Sequence, residues 1–137
     1  MQIPAPDEIG IIVVDHGSRR EQSNRMLLEV VAAFEQQDQY AIVEPAHMDL
    51  VEPSISTAFE RCVRRGAKLL VIHPYFLLPG RHSEEDVPAL AAEASRQHAD
   101  VPFVVTEPLG IHPLMVEIMH QRIRDRLEKA PEDLPAK

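Results

Sequence analysis

Residues 9–14, Ile-Gly-Ile-Ile-Val-Val, form an almost wholly apolar run that stops at His16-Gly17-Ser18. So short a run without polar alternation predicts a strand buried on both faces, as in the middle of a parallel sheet covered by helices above and below. The rest of the chain must supply those neighbours. Met26, Leu27, Val30, Val31 and Phe34 recur at helical spacing, and either Ser18, with Glu21 three residues on, or Ser23 can cap that helix. Residues 41–48 predict a second strand, and Pro45 inside it, which cannot donate a ladder hydrogen bond, assigns that strand to a sheet edge. Ile55, Phe59, Cys62 and Val63 mark a second helix that Pro53 can begin and Gly66 can end. Residues 68–76 predict a third strand, and residues 77–85 read as a loop. A third helix then carries Val87, Leu90, Ala91 and Ala94. Asp86 is its expected cap rather than Ser83, because a start at Ser83 would put Pro88 at the fifth helical position, against a carbonyl. Residues 102–106 give a short fourth strand. Val116, Met119, Ile123 and Leu127 line a final helix, and a tail from Pro131 is expected to fray.

Strand and helix thus alternate through short links, which predicts an α/β fold with right-handed crossovers. The expected architecture is a single-domain three-layer αβα sandwich around a four-stranded parallel sheet of order 2-1-3-4. One domain spans residues 1–137, with its core at about 9–128. A chain of 137 residues, 45% hydrophobic, can bury one such core but not two. Ligands of sheets like this bind beyond the carboxyl ends of the strands where the winding reverses, here between the first and third strands. The segments that begin at His16 and Leu77 therefore face one crevice.

Charge and composition remove several classes of function. Fourteen basic against twenty-two acidic residues give a net charge of −8, which opposes nucleic acid and anionic membranes as partners. The same charge favours encounter with metal cations and repels a polycarboxylate unless local basic residues reverse the field. No apolar stretch approaches the roughly 20 residues of a membrane helix, and the acidic start MQIPAPDE lacks the basic end of a signal peptide. A cytoplasmic protein is expected. Cys62 is the only cysteine, so no intrachain disulfide can form, and its helical apolar setting predicts a buried structural thiol.

Seven histidines invite a metal reading. His98 and His120 lie among polar neighbours in helices and are expected at the solvated surface. His73 and His47, inside strands, are expected to be hydrogen-bonded and partly buried. His112 follows Gly110 in the loop after the fourth strand and opens on the crevice. His16 and His82 differ, because each falls just past the carboxyl end of a central strand beside small residues that let a ligand approach. Imidazole suits first-row transition metals, and Asp49, just past the second strand, can add an oxygen ligand. No HxxxH, HExxH or CxxC spacing accompanies them, so position rather than spacing singles them out.

Four segments then carry a resemblance. Val14-Asp-His-Gly-Ser-Arg19, His47-Met-Asp-Leu-Val-Glu-Pro-Ser-Ile55, Pro74-Tyr-Phe-Leu-Leu-Pro-Gly-Arg-His-Ser-Glu-Glu-Asp-Val-Pro88 and Glu107-Pro-Leu-Gly-Ile111 resemble the successive blocks of the small CbiX/SirB type of sirohydrochlorin chelatase. They stand in that family's order, and the match runs from Ile9 to about Leu127. The resemblance implies a chelatase-like fold and an ATP-independent lyase that inserts Co²⁺, Fe²⁺ or Ni²⁺ into the tetrapyrrole with loss of two protons, in cobalamin or siroheme biosynthesis. The metal is a substrate, and no permanently bound cofactor is expected. The metal-handling residues implied are His16, Asp49 and His82, with the two histidines catalytic. Ser18, Arg19, Arg81 and His112, together with Arg20, are placed to meet the substrate. Asp15 stands where the family commonly has glycine or serine, and Asp49 where it usually has glutamate.

Two rivals follow from the same residues. One is a metal or tetrapyrrole carrier with this pocket and no turnover. The other is a histidine-phosphatase-like enzyme, against which Asp15 would repel phosphate. A homodimer is also expected, because a four-stranded domain offers a broad disc only one wall, and Leu77, Leu78, Leu109 and Ile111 place apolar side chains at the crevice.

Overall fold

The computed structural model describes residues 2–129. Its elements in chain order are β1 (Ile9–Asp15), α1 (Glu21–Glu35), β2 (Ile42–His47), α2 (Ile55–Arg64), β3 (Leu69–Pro74), a π turn (His82–Asp86) running into α3 (Val87–Ser95), β4 (Phe103–Val105) and α4 (Pro113–Glu128). The four strands are all parallel, in the order β2-β1-β3-β4. β1 is the central strand that its composition demands, with six of its seven residues buried. Pro45 sits in β2 at the sheet edge, as its missing N–H requires.

Alternate residues of the strands feed two cores. On one face Ile12, Val14, Leu70 and Ile72 pack under α2 and α3 through Ala58, Phe59, Cys62, Val87 and Ala91. Phe59, Ile12, Leu70 and Ile72 are wholly buried, each worth roughly 1.5–3 kcal/mol relative to exposure. On the other face Ile9, Ile11, Val13 and Val43 pack under α1 through Leu27 and Val31. Cys62 is fully buried, as expected, and burial pushes its thiol up to about 12.

Several local expectations change. α2 starts one residue after Ser54, whose hydroxyl accepts from the Thr57 N–H at 3.1 Å, so Ser54 is the cap and Pro53 precedes it. The same helix ends where expected. Gly66 at φ +99° gives its N–H to Val63, and Ala67 gives its N–H to Cys62, a paired closure that needs a left-handed residue. Neither Ser18 nor Ser23 caps α1, whose first flanking residue is Arg20. Asp86 does not cap α3 either: its backbone is already helical and its side chain makes no cap bond. The helical path begins earlier, where the Glu84 N–H bonds the Gly80 carbonyl and the Ser83 hydroxyl accepts from the Gly80 N–H. Pro88 is accommodated because the turn before it is wide, with the Val87 N–H reaching five residues back to His82. His98 is not free surface, since its ring stacks on Phe59 at 5.5 Å.

The largest departure is α4. Val116, Met119, Ile123 and Leu127 do form one stripe, but that stripe is exposed, and no residue of the helix is buried. The covering helices are therefore two on one face and α1 alone on the other. The expected tail from Pro131 lies outside the described residues.

Candidate active site

The site is assembled by backbone at the carboxyl ends of β1, β2 and β3. Gly17, at φ +85°, turns the chain immediately after His16, and a Cβ there would collide with the Asp49 carbonyl oxygen, so only glycine fits. The loops after β1 and β2 are laced together: the Met48 N–H bonds the Asp15 carbonyl at 2.8 Å and the Asp49 N–H bonds the His16 carbonyl at 3.1 Å. Asp15 strengthens this lacing through its side chain. Its Oδ1 accepts from the Gly17 N–H at 3.0 Å and lies 2.6 Å from Nδ1 of His47, a histidine only 3% exposed. His47 is thus a satisfied core histidine, as expected, and Asp15 is its partner. His73 is likewise satisfied, by the Thr106 hydroxyl at 2.7 Å.

His16 and His82 come together from loops 66 positions apart in sequence. Their ring centroids lie 4.6 Å apart at an interplanar angle of 89°. Phe76, just past β3, stacks against His16 at 4.2 Å and covers one face of the imidazole. That burial, and next the nearby His82, hold the His16 pKa below the ordinary histidine value, with Asp15 opposing both. The neutral ring, with a free lone pair, is therefore the favoured form at neutral pH. His82 is oriented differently. Its Nδ1 lies 2.9 Å from Oδ2 of Asp86, four residues on, which fixes the tautomer that donates from Nδ1 and leaves the Nε2 lone pair free. Asp86, read from sequence as a helix cap, is instead this histidine's partner. Its i, i+4 spacing from His82 was the available signal, hidden because residues 77–85 read as loop.

The remaining expected residues are placed as follows. Asp49 is exposed, and its Oδ1 accepts from the Leu50 N–H at 2.8 Å. Among the described residues no group of three or more histidine, cysteine or acidic side chains is arranged to hold a metal, so the pair is the unit the structure brings together. The Ser18 hydroxyl accepts from the Arg20 N–H, and the Asn24 side chain brackets the Ser18 backbone at 2.9 and 2.7 Å. Arg19 and Arg20 are exposed at the start of α1. Arg81 pairs loosely with Glu85 at 3.7 Å, both largely solvated. His112 caps α4, its Nδ1 accepting from the Leu114 N–H at 3.1 Å. A cleft of about 510 Å³ opens between the loops after β3 and β4, lined by Leu78, Pro79, Ser83, Thr106, Pro108 and Ile111 among others, and neither His16 nor His82 lines it.

Comparison with known proteins agrees with this fold. The chloroplastic sirohydrochlorin ferrochelatase of Arabidopsis thaliana is 48% identical over 127 residues, covering 93% of this chain and 56% of its own length. The sirohydrochlorin chelatase SirB from Bacillus subtilis subspecies spizizenii, solved in complex with cobalt, superposes with a TM-score of 0.81 at 27% identity, over 86% of this chain and 50% of that one. A CbiX protein of cobalamin biosynthesis from Marinobacter aquaeolei, described as putative in function, superposes with a TM-score of 0.74 at 27% identity, over 88% of this chain and 98% of that one. The chain spans about half the length of the first two. The family profile of CbiX matches residues 10–126, so the chain belongs to the CbiX family.

Proposed function

We propose that this chain is a sirohydrochlorin chelatase that inserts Co²⁺ or Fe²⁺ into the macrocycle without nucleotide, in cobalamin or siroheme biosynthesis. The observation that carries the reading is the edge-to-face pair of His16 and His82, brought together by the loops after β1 and β3. The relatives' names support it.

Insertion replaces two pyrrolic N–H bonds by metal–nitrogen bonds and releases two protons. The metal must lose ligands on arrival, and the protons need acceptors. Two imidazoles can do both. Histidine nitrogens bind such ions at about 2.0–2.1 Å, so two nitrogens on one ion lie at most about 4 Å apart, within reach of rings with centroids 4.6 Å apart. Once the metal passes to the macrocycle, the freed lone pairs become proton acceptors. The lowered pKa of His16 keeps it available for either task at neutral pH. Asp49 adds an oxygen ligand by reorienting from Leu50. Arg19, Arg20 and Arg81 meet the substrate's carboxylates, with Ser18 and His112 at the margins of the crevice. The single buried thiol suits a reducing compartment such as the cytoplasm, and the working unit is a homodimer.

Anaerobic absorbance spectra of sirohydrochlorin with each metal, with and without the protein, test the reading. Faster appearance of the metal complex at catalytic protein concentration supports it. Stoichiometric binding without acceleration would make the protein a carrier.

A further inference from the structure

The alternation of β3 does not stop where its ladder does. Leu70, Ile72 and Pro74 are wholly buried, the first two under α2 and α3, and the next step of two along the chain is Phe76, 9% exposed and part of the same core. β1 behaves alike. Ile12 and Val14 lie in that core, and the next step of two is His16. Val14 and Pro74 are register partners, and the Tyr75 N–H extends the pairing to the Val14 carbonyl at 2.6 Å. Phe76 and His16 are thus delivered side by side on one face, where the core meets the crevice.

Phe76 is clamped in place. Its carbonyl accepts from the Leu109 N–H at 2.9 Å, which ties it to the loop after β4. The His16 backbone is held as well, by the Asp49 N–H at its carbonyl and by the turn at Gly17. These bonds leave the imidazole plane undetermined, because the outer torsion of a histidine is broad and roughly two-fold. Elsewhere a hydrogen bond settles it: Asp15 for His47, Thr106 for His73, Asp86 for His82 and the Leu114 N–H for His112. His16 has no such help. Among the described residues neither of its ring nitrogens has a hydrogen-bond or ion-pair partner. Its ring contacts are His82 and Phe76, the latter stacked at 4.2 Å and 25°, too close for water to enter between the rings.

We propose that Phe76 is the positioning residue of His16, taking by stacking the part that a carboxylate or carbonyl plays behind most metal-ligating histidines. The inference rests on the chelatase reading for what His16 does, and on geometry alone for how it is held. A hydrogen bond would fix the imidazole plane by occupying one nitrogen. A flat apolar neighbour fixes it and leaves both free, so the ring can turn over by half without losing the contact and offer either nitrogen to the ion. The two histidines are therefore held by different means. His82 presents Nε2 alone, with Nδ1 committed to Asp86, whereas His16 is held by its face. That suits a group that must release a metal and take up a proton within one cycle.

The test uses cobalt alone, without tetrapyrrole. Cobalt affinity, read by calorimetry, should fall about tenfold in Phe76→Leu, and Phe76→Tyr, which keeps the flat face, should restore it to within about threefold of wild type. In metal-free protein the ring current of Phe76 should move a His16 ring-proton resonance upfield, identified by its loss in His16→Ala. Phe76→Leu should return that resonance toward the position of an unstructured histidine while the amide resonances of β1 and β3 keep their places, which a mere loss of core packing would not do. Unchanged cobalt affinity in Phe76→Leu overturns the proposal, and so does a Phe76→Tyr protein as weak as Phe76→Leu. If Phe76→Leu does not fold, the wild-type spectrum decides: an upfield His16 resonance supports the stack, and one at the unstructured position refutes it. A wild type that binds no cobalt defeats the chelatase reading instead, and the same resonance then decides how the ring is held.

Discussion

Two histidine pairs flank the end of β1, and they are opposites. His47 and Asp15 are closed on each other at 2.6 Å, with His47 shut away from water. His16 and His82 face each other at the surface with lone pairs unclaimed. Residue type is the same, and strand-end position nearly so. What separates structural from chemical histidines is whether the ring nitrogens already have protein partners. A buried imidazole must be satisfied, whereas a reactive one must keep a nitrogen for its ligand.

That contrast can be broken from either side. His16→Ala or His82→Ala should reduce metal insertion by about 100-fold or more, the scale of a lost acid–base or ligand group, with the melting temperature within a few degrees of wild type. Steady-state insertion rates and calorimetry check this, and near-normal rates would dissolve the distinction. His47→Ala should do the reverse, destabilising the fold by about 2 kcal/mol because Asp15 loses its buried partner. Urea unfolding measures it. A His47→Ala protein as stable as wild type would show that the pair is not structural. Asp86→Ala should raise the metal concentration for half-maximal rate by about tenfold, as loss of a carboxylate behind a ligating histidine does. If Asp49 reaches the ion, Asp49→Ala should raise it more than Asp49→Glu. Equal and negligible effects would remove Asp49 from the site.

The smallest effect is the most direct probe of environment. Followed by NMR in metal-free protein, His16 should titrate below the reference value of about 6.5, and His82→Ala should move it upward by removing a like charge. The sign for stability follows. A histidine whose folded pKa is depressed binds fewer protons folded than unfolded, so His16 weakens the fold as pH falls below about 6.5. A His16 titration above that value would mean that Asp15, not burial, dominates.

Much of this was legible in the sequence for identifiable reasons. The apolar run at residues 9–14 has no other home than a central strand, and Pro45 admits only an edge, so strand order followed. The pairing of His16 with His82 followed from strand ends sharing a crevice. Asp86 was missed because Pro88 argues against a helix running through it, and only a wide turn removes the conflict. The exposure of α4 was also hidden. Periodicity reports that a helix has an apolar side, not whether the sheet it follows covers that side.

The wide turn at His82–Asp86 has one more implication. A π turn carries one residue more than the α-helix it interrupts, so it works as a phase shifter between His82 and the core positions Val87, Ala91 and Ala94. Removing a single residue from this stretch would restore the 3.6-residue period and swing His82 by about 100° around the axis. The imidazole would then point away from His16 while every core side chain of α3 stayed in place. Chain length within five residues, rather than their chemistry, therefore sets the direction in which this histidine aims.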